Sequence, residues 1–158
     1  MNVRDWLLWG FVGTVFLTTI MAGSQALGLT RMNLPYLLGT MFTANRDLAK
    51  VIGGGVHLVF GWAFGLLYVA AFHAWGAAGL WRGATIGLAQ AAFVLVIGMP
   101  MLPGIHPRMA SEHHGPTPKR QLEPPGLFAL HYGVQTPISV VLAHVTYGAI
   151  LGAFYRVL

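Results

Sequence analysis

The chain has 158 residues, 56% of them hydrophobic and 8% charged, with a mean hydropathy of +0.65. A soluble domain carries about 25% charged residues, so a water-soluble globule is excluded. The absence of cysteine also excludes disulfides and Cys-ligated zinc or iron–sulfur sites. The net charge of +5 comes from nine Lys and Arg that stand singly between apolar runs, which suits anionic lipid headgroups and not nucleic acid.

At this length one domain is expected. An apolar helix needs about 20 residues to cross the hydrocarbon core. Four segments qualify, in chain order about Trp6–Leu29, Val51–Phe72, Gly83–Met99, and a stretch within Phe128–Tyr155. Backbone groups in lipid must bond one another, so these segments are predicted to be helices. The N-terminal run has no A-x-A site behind it and reads as a retained span, not a signal peptide.

The joints carry stop and start signals. Asn33 and Pro35 open a short interfacial helix through Tyr36, Leu37, Met41 and Phe42. Asn45 and Asp47 are positioned to cap the second span. Gly76 and Gly79 make a tight turn that Arg82 anchors. Pro100 and Pro103 are expected to end the third span. Residues 100–126 form the one long polar loop, and Pro137 either kinks the fourth apolar run or separates a re-entrant piece from a span starting near Ile138.

The reading is therefore all-α: a four-transmembrane-helix bundle over residues 1–158. A first helix pair covers about 1–75 and a second about 80–158. The two long loops hold six basic residues (Arg31, Arg46, Lys50, Arg108, Lys119, Arg120). The termini and middle turn hold three (Arg4, Arg82, Arg156). This places the long loops in the cytoplasm and both termini outside.

An internal match divides the chain. The second span reads HLVFGWAFGLLY from His57, and the fourth reads HVTYGAILGAFY from His144. His, aromatic, Gly, Gly and Tyr recur in register as His57/His144, Phe60/Tyr147, Gly61/Gly148, Gly65/Gly152 and Tyr68/Tyr155. Gly10 and Gly13 echo Gly83 and Gly87 more faintly. Two tandem helix pairs are implied. Pairs return the chain to its starting side, so the halves are parallel and related about the membrane normal. Steps of four residues keep His57, Gly61 and Gly65 on one face, and small residues at that spacing let helices approach in lipid. His57 and His144 then lie at similar depth.

Three readings of the histidine pair are open. Each imidazole can bond a neighbouring hydroxyl, amide or carbonyl, with Thr14, Thr18 and Gln90 available. The pair can instead ligate the iron of a b-type haem (haem b), with Gly61 and Gly148 making room for the porphyrin. A quinone, pigment or other metal is the third choice. His106, Glu112, His113 and His114 are metal-ligand types without a fixed spacing, and read as a solvated loop. Trp6, Trp9, Trp62, Trp75, Trp81, Tyr132 and Tyr155 fall near span ends and suit an interfacial belt. His73, at the end of the second span, is expected to reach the headgroups. No catalytic triad, carboxylate pair or phosphate loop is present in the sequence.

The succession GFVGTVFLTTIM, NLPYLLGTMF, the His-Gly-Gly span and LAHVTYGAILGAFY resembles a family of small uncharacterised four-helix prokaryotic membrane proteins. The resemblance covers most of the chain, although HPRMASEHHGPTPKRQLEPPG departs from it. It implies the fold and a location in a bacterial or archaeal inner membrane, and carries over no site. The expected role is a non-catalytic accessory subunit of a larger membrane complex, in respiratory or photosynthetic electron transfer. Its partners are the lipid bilayer and other membrane subunits. The alternative is a small oligomeric transporter or channel.

Overall fold

The computed structural model describes residues 1–111 and 113–157. Its helices are α1 (Val3–Ala26), α2 (Leu34–Gly39), α3 (Arg46–Ala74), α4 (Leu80–Phe93), α5 (Met99–Ile105) and α6 (Thr136–Phe154). A π turn, Val94–Gly98, joins α4 to α5, and a short 3-10 segment, Leu127–Tyr132, precedes α6. Four helices are long and apolar enough to cross a membrane: α1, α3, the continuous α4–α5 run Leu80–Ile105, and α6. Their outward faces carry Val15, Phe16, Leu67, Ile138 and Leu142, all exposed. Exposed apolar surface on that scale marks contact with lipid or protein and not with water.

Capping follows the sequence signals. The Asn33 side chain accepts from Tyr36 N–H at 3.0 Å, and Asn45 accepts from Asp47 and Leu48 N–H. Asn2 caps α1 through Asp5 N–H. Arg82 donates to the Ala77 carbonyl and holds the turn before α4. Pro137 occupies the first turn of α6, where its missing N–H costs nothing. It starts that helix and does not kink it.

Two expectations need correction. The third apolar helix does not stop at Pro100: it continues through both prolines to Ile105. A proline ring crowds the carbonyl four residues back, here Val96. The π turn widens the backbone at that point, with Met99 N–H bonding the Val94 carbonyl five residues behind, and so the helix passes the proline. The short helix α2 is also shorter than its sequence signals. It ends at Gly39, before Met41 and Phe42, and is tucked against the start of α3. A Cβ at Gly39 would sit 1.7 Å from the Ala49 carbonyl oxygen, and one at Gly53 1.7 Å from that of Pro35, so no larger residue permits this approach.

Among the long helices, α1 packs on both α3 and α6, and α4 packs tightly on α6, while α3 and α4 touch sparsely. The α4–α6 crossing is glycine on glycine. A Cβ at Gly83 would lie 1.9 Å from the Gly148 carbonyl oxygen, and one at Gly148 2.1 Å from that of Gly83. The chain ends meet at the far side of the bundle. Buried Asp5 accepts from the Arg156 guanidinium at 2.8 Å through both oxygens. His73 Nε2 pairs there with Tyr155 Oη at 3.0 Å, a hydroxyl that also accepts from Asn2 N–H.

Candidate functional site

The sparse contact between α3 and α4 leaves a cavity of about 350 Å³. Leu34, Leu37 and Leu38 of α2 close it toward the long loops. Phe60, Phe64 and Phe93 form the side between α3 and α4, where Phe64 and Phe93 meet edge to face with centroids 6.3 Å apart. Phe60 and Phe93 are themselves 45% and 46% exposed, so this side opens laterally on the outer surface of the bundle. Val94 and Gly98 of the π turn also line it; π turns recur at such sites because they displace backbone from the regular helical path.

His57 and His144 both line this cavity, and they are 8% and 7% exposed. Counting from the helix starts, His57 is 11 residues into α3 (57 − 46) and His144 is 8 into α6 (144 − 136). At about 1.5 Å per residue they lie roughly 16 and 12 Å along their helices.

The hydrogen bonds fix which ring nitrogen carries the proton. His144 Nδ1 lies 2.8 Å from the Val140 carbonyl oxygen. A carbonyl can only accept, so Nδ1 is protonated and Nε2 holds a lone pair. His57 Nδ1 lies 2.9 Å from Thr18 Oγ1. The single proton of that hydroxyl goes to the Thr14 carbonyl at 2.7 Å. The hydroxyl therefore accepts from His57 Nδ1–H, and His57 Nε2 is also a lone pair. Neither Nε2 has a hydrogen-bond partner among the described residues, and neither is sealed within packed atoms.

The other polar groups around the cavity spend their protons inward. Thr14 donates to the Gly10 carbonyl, Tyr147 donates to the Gly61 carbonyl at 2.5 Å, and Tyr68 donates to Gln90 Oε1 at 2.6 Å. Of the three partners expected for the histidines, Thr18 alone takes that role. No Lys, Arg, Asp or Glu lines the cavity among the described residues.

Gly61 lines the cavity, yet the space a Cβ would fill there belongs to Thr14, whose Oγ1 would be 1.8 Å away. Gly148 is not among the lining residues and faces Gly83. Both glycines serve helix approach. The room for a flat macrocycle expected of them is taken by neighbouring helices.

The loop histidines are dispersed. His106 is 1% exposed; its Nε2 donates to the Leu37 carbonyl at 3.0 Å and its Nδ1 accepts from Arg108 N–H at 3.1 Å. Far from being solvated, it pins the loop to α2. Buried Met109 bridges Leu122 nearby. His113 and His114 are exposed, and Glu112 lies outside the described residues. No cluster of three metal-ligand side chains exists among the described residues. His131 Nδ1 donates to the Pro124 carbonyl.

The aromatic belt is also partly reassigned. Trp75 and Trp81 are exposed as a belt requires, whereas Tyr132 and Tyr155 are buried and Trp6 and Trp62 bond between helices. Sequence reasoning missed the part of α2 in closing the cavity and the π turn beside it. The one available signal was Pro100 set behind an unbroken apolar run. Comparison with known proteins gives no matching family model, no matching curated protein and no matching solved structure.

Proposed function

We propose that this is a multi-pass integral membrane protein of a prokaryotic cell membrane that holds an apolar molecule between α3, α4 and α6. On this reading it acts as a non-catalytic subunit of a larger membrane complex, and the lipid-soluble carriers of respiratory or photosynthetic electron transfer are the kind of molecule such a cavity suits. The observation that carries the reading is the cavity itself, which is apolar, laterally open and fitted with two unpaired imidazole nitrogens. Small-molecule sites are typically concave and apolar, with a few placed polar groups, at about 300–1,000 Å³. An ionisable side chain among membrane helices is a functional candidate by default.

The tandem-pair organisation is part of this proposal. In each half the glycines of the second helix meet the helix before it: Gly61 meets Thr14 of α1, and Gly148 and Gly152 meet Gly83 of α4. The halves then diverge, since α1 packs on α6 while its counterpart α4 barely meets α3. The cavity occupies the place of that missing contact. Membership in the family of small four-helix prokaryotic membrane proteins is proposed on the same grounds.

Two neutral imidazoles form a suitable donor set for haem iron. The surroundings do not fit the macrocycle: the glycine positions are filled, and no cation lines the cavity to meet propionate carboxylates. A transporter would need a polar route across the bundle, and α2 closes one end of this cavity with leucines.

The test is purification from native membranes in mild detergent. The protein is expected to migrate with larger subunits and to carry an extractable apolar molecule that His57→Phe and His144→Phe variants lose. A lone monomer from which no such molecule is extracted overturns the proposal. A sharp reduced α-band of a six-coordinate b-type centre would show that haem fits after all.

A further inference from the structure

Both imidazoles line the cavity and each keeps an unpaired Nε2 lone pair, so an occupant that meets them must bring the proton. We infer that the ligand is a neutral apolar molecule carrying a hydroxyl, of the phenol or quinol class, whose O–H donates to Nε2 of His57 or His144. This inference rests on the ligand-binding reading above and names its chemistry.

A polar atom without a partner in an apolar space is costly, and here both imidazoles, more than nine-tenths buried as side chains, line one space while neither Nε2 has a hydrogen-bond partner among the described residues. Thr18 and the Val140 carbonyl hold both rings as Nδ1–H tautomers. A ligand carbonyl or ether oxygen set against either Nε2 would bring lone pair against lone pair. The hydroxyl protons of Thr14, Tyr68 and Tyr147 are committed to protein acceptors. Among the described residues the amide NH2 of Gln90 is left as the one side-chain donor bordering the space, so it can bind a second, accepting oxygen on the same ligand.

Water does not answer the same need. A space of about 350 Å³ corresponds to more than ten waters at about 30 Å³ each, and each requires two to four polar partners. The five polar side chains that line it, Thr14, His57, Gln90, His144 and Tyr147, cannot hold them. Nor does a cation: no carboxylate borders the space among the described residues, and an uncompensated charge is expensive in an apolar interior. The exposed phenylalanines at the α3–α4 side give an apolar molecule a route from the bilayer.

The full chain in lipid nanodiscs, labelled with ¹⁵N-histidine, tests this with two probes of nearly equal size, 4-hexylphenol and 4-hexylanisole. The spectrum should first show His57 and His144 as Nδ1–H tautomers, their signals picked out from those of the other histidines with His57→Phe and His144→Phe. The phenol should then shift at least one of their Nε2 resonances, saturating at one equivalent per chain and at least tenfold more tightly than the anisole, a difference of about 1.4 kcal/mol. In the double Phe variant, competition with a photoreactive alkyl probe should show phenol and anisole binding within about twofold of one another. Thr18→Val keeps the imidazole but removes the acceptor that fixes it, and should narrow the preference if either Phe variant fails to fold. If both probes bind equally to the wild-type chain, the donor requirement is overturned while the binding cavity stands. If neither probe binds, the binding reading itself is overturned.

Discussion

Trp6 and Trp62 clasp each other's helices reciprocally. The Trp6 indole donates to the Trp62 carbonyl at 2.9 Å, and the Trp62 indole donates to the Leu7 carbonyl at 2.9 Å. An indole N–H has no partner in lipid, so two of them turned inward fasten α1 to α3 in register. Trp6→Phe and Trp62→Phe should each destabilise the bundle by about 1 kcal/mol, given that hydrogen bonds between membrane helices average about 0.6 kcal/mol and some packing is lost as well. The double variant should lose the sum of the two in a denaturation series, because the two bonds use different donors and acceptors. A loss from either single change as large as that from both would show that the clasp acts as one unit.

Glycine positions in the same helices should differ sharply in tolerance. Gly83→Leu and Gly148→Leu place a side chain where a carbonyl oxygen stands about 2 Å from the Cβ site. These changes should separate α4 from α6 and abolish the folded species in mild detergent. Gly54→Ala and Gly55→Ala meet nothing within 4 Å and should leave stability unchanged or slightly raised, since alanine favours helix by about 1 kcal/mol over glycine. Thermal melts of the four variants check the contrast.

Acid should loosen the loop side first. Burial holds the His106 imidazole below its ordinary pKa, with the Arg108 guanidinium acting in the same direction and the bond to the Leu37 carbonyl opposing it. The unfolded chain therefore binds the proton at a higher pH than the folded one. The stability His106 contributes is complete above the unfolded value, near 6.5, and is lost as pH falls from there through the lower folded value. Protection factors of the Thr40 and Met109 amides, corrected for intrinsic exchange, should fall over that acidic window in the wild type. In His106→Gln the same protection factors should stay level across it.

Reporter fusions at the C-terminus and within residues 108–120 should fall on opposite sides of the membrane, the loop in the cytoplasm. The loops hold six basic residues against three at the other end. Both reporters on one side would contradict four crossings, and a reversed result would contradict the orientation alone.

The sequence by itself determined the four apolar helices, because length, hydropathy and the lack of charge within them are one-dimensional properties that lipid reads directly. It determined the caps at Asn33 and Asn45, since an N-cap acts on backbone groups two or three residues away. It also marked His57 and His144, through a matched spacing that puts each on a glycine stripe. Tertiary structure decided what those stripes meet. Gly61 and Gly148 looked like room for a ligand, and their space went to Thr14 and Gly83, because which helix fills a glycine's hollow depends on neighbours distant in the chain. The passage of a helix through Pro100 rests on one widened turn, Val94–Gly98, and the proline alone reads equally as a helix end. The cavity exists because α1 took the contact with α6 while α4 left α3 uncovered. That choice is made among whole helix faces, and a local pattern does not encode it.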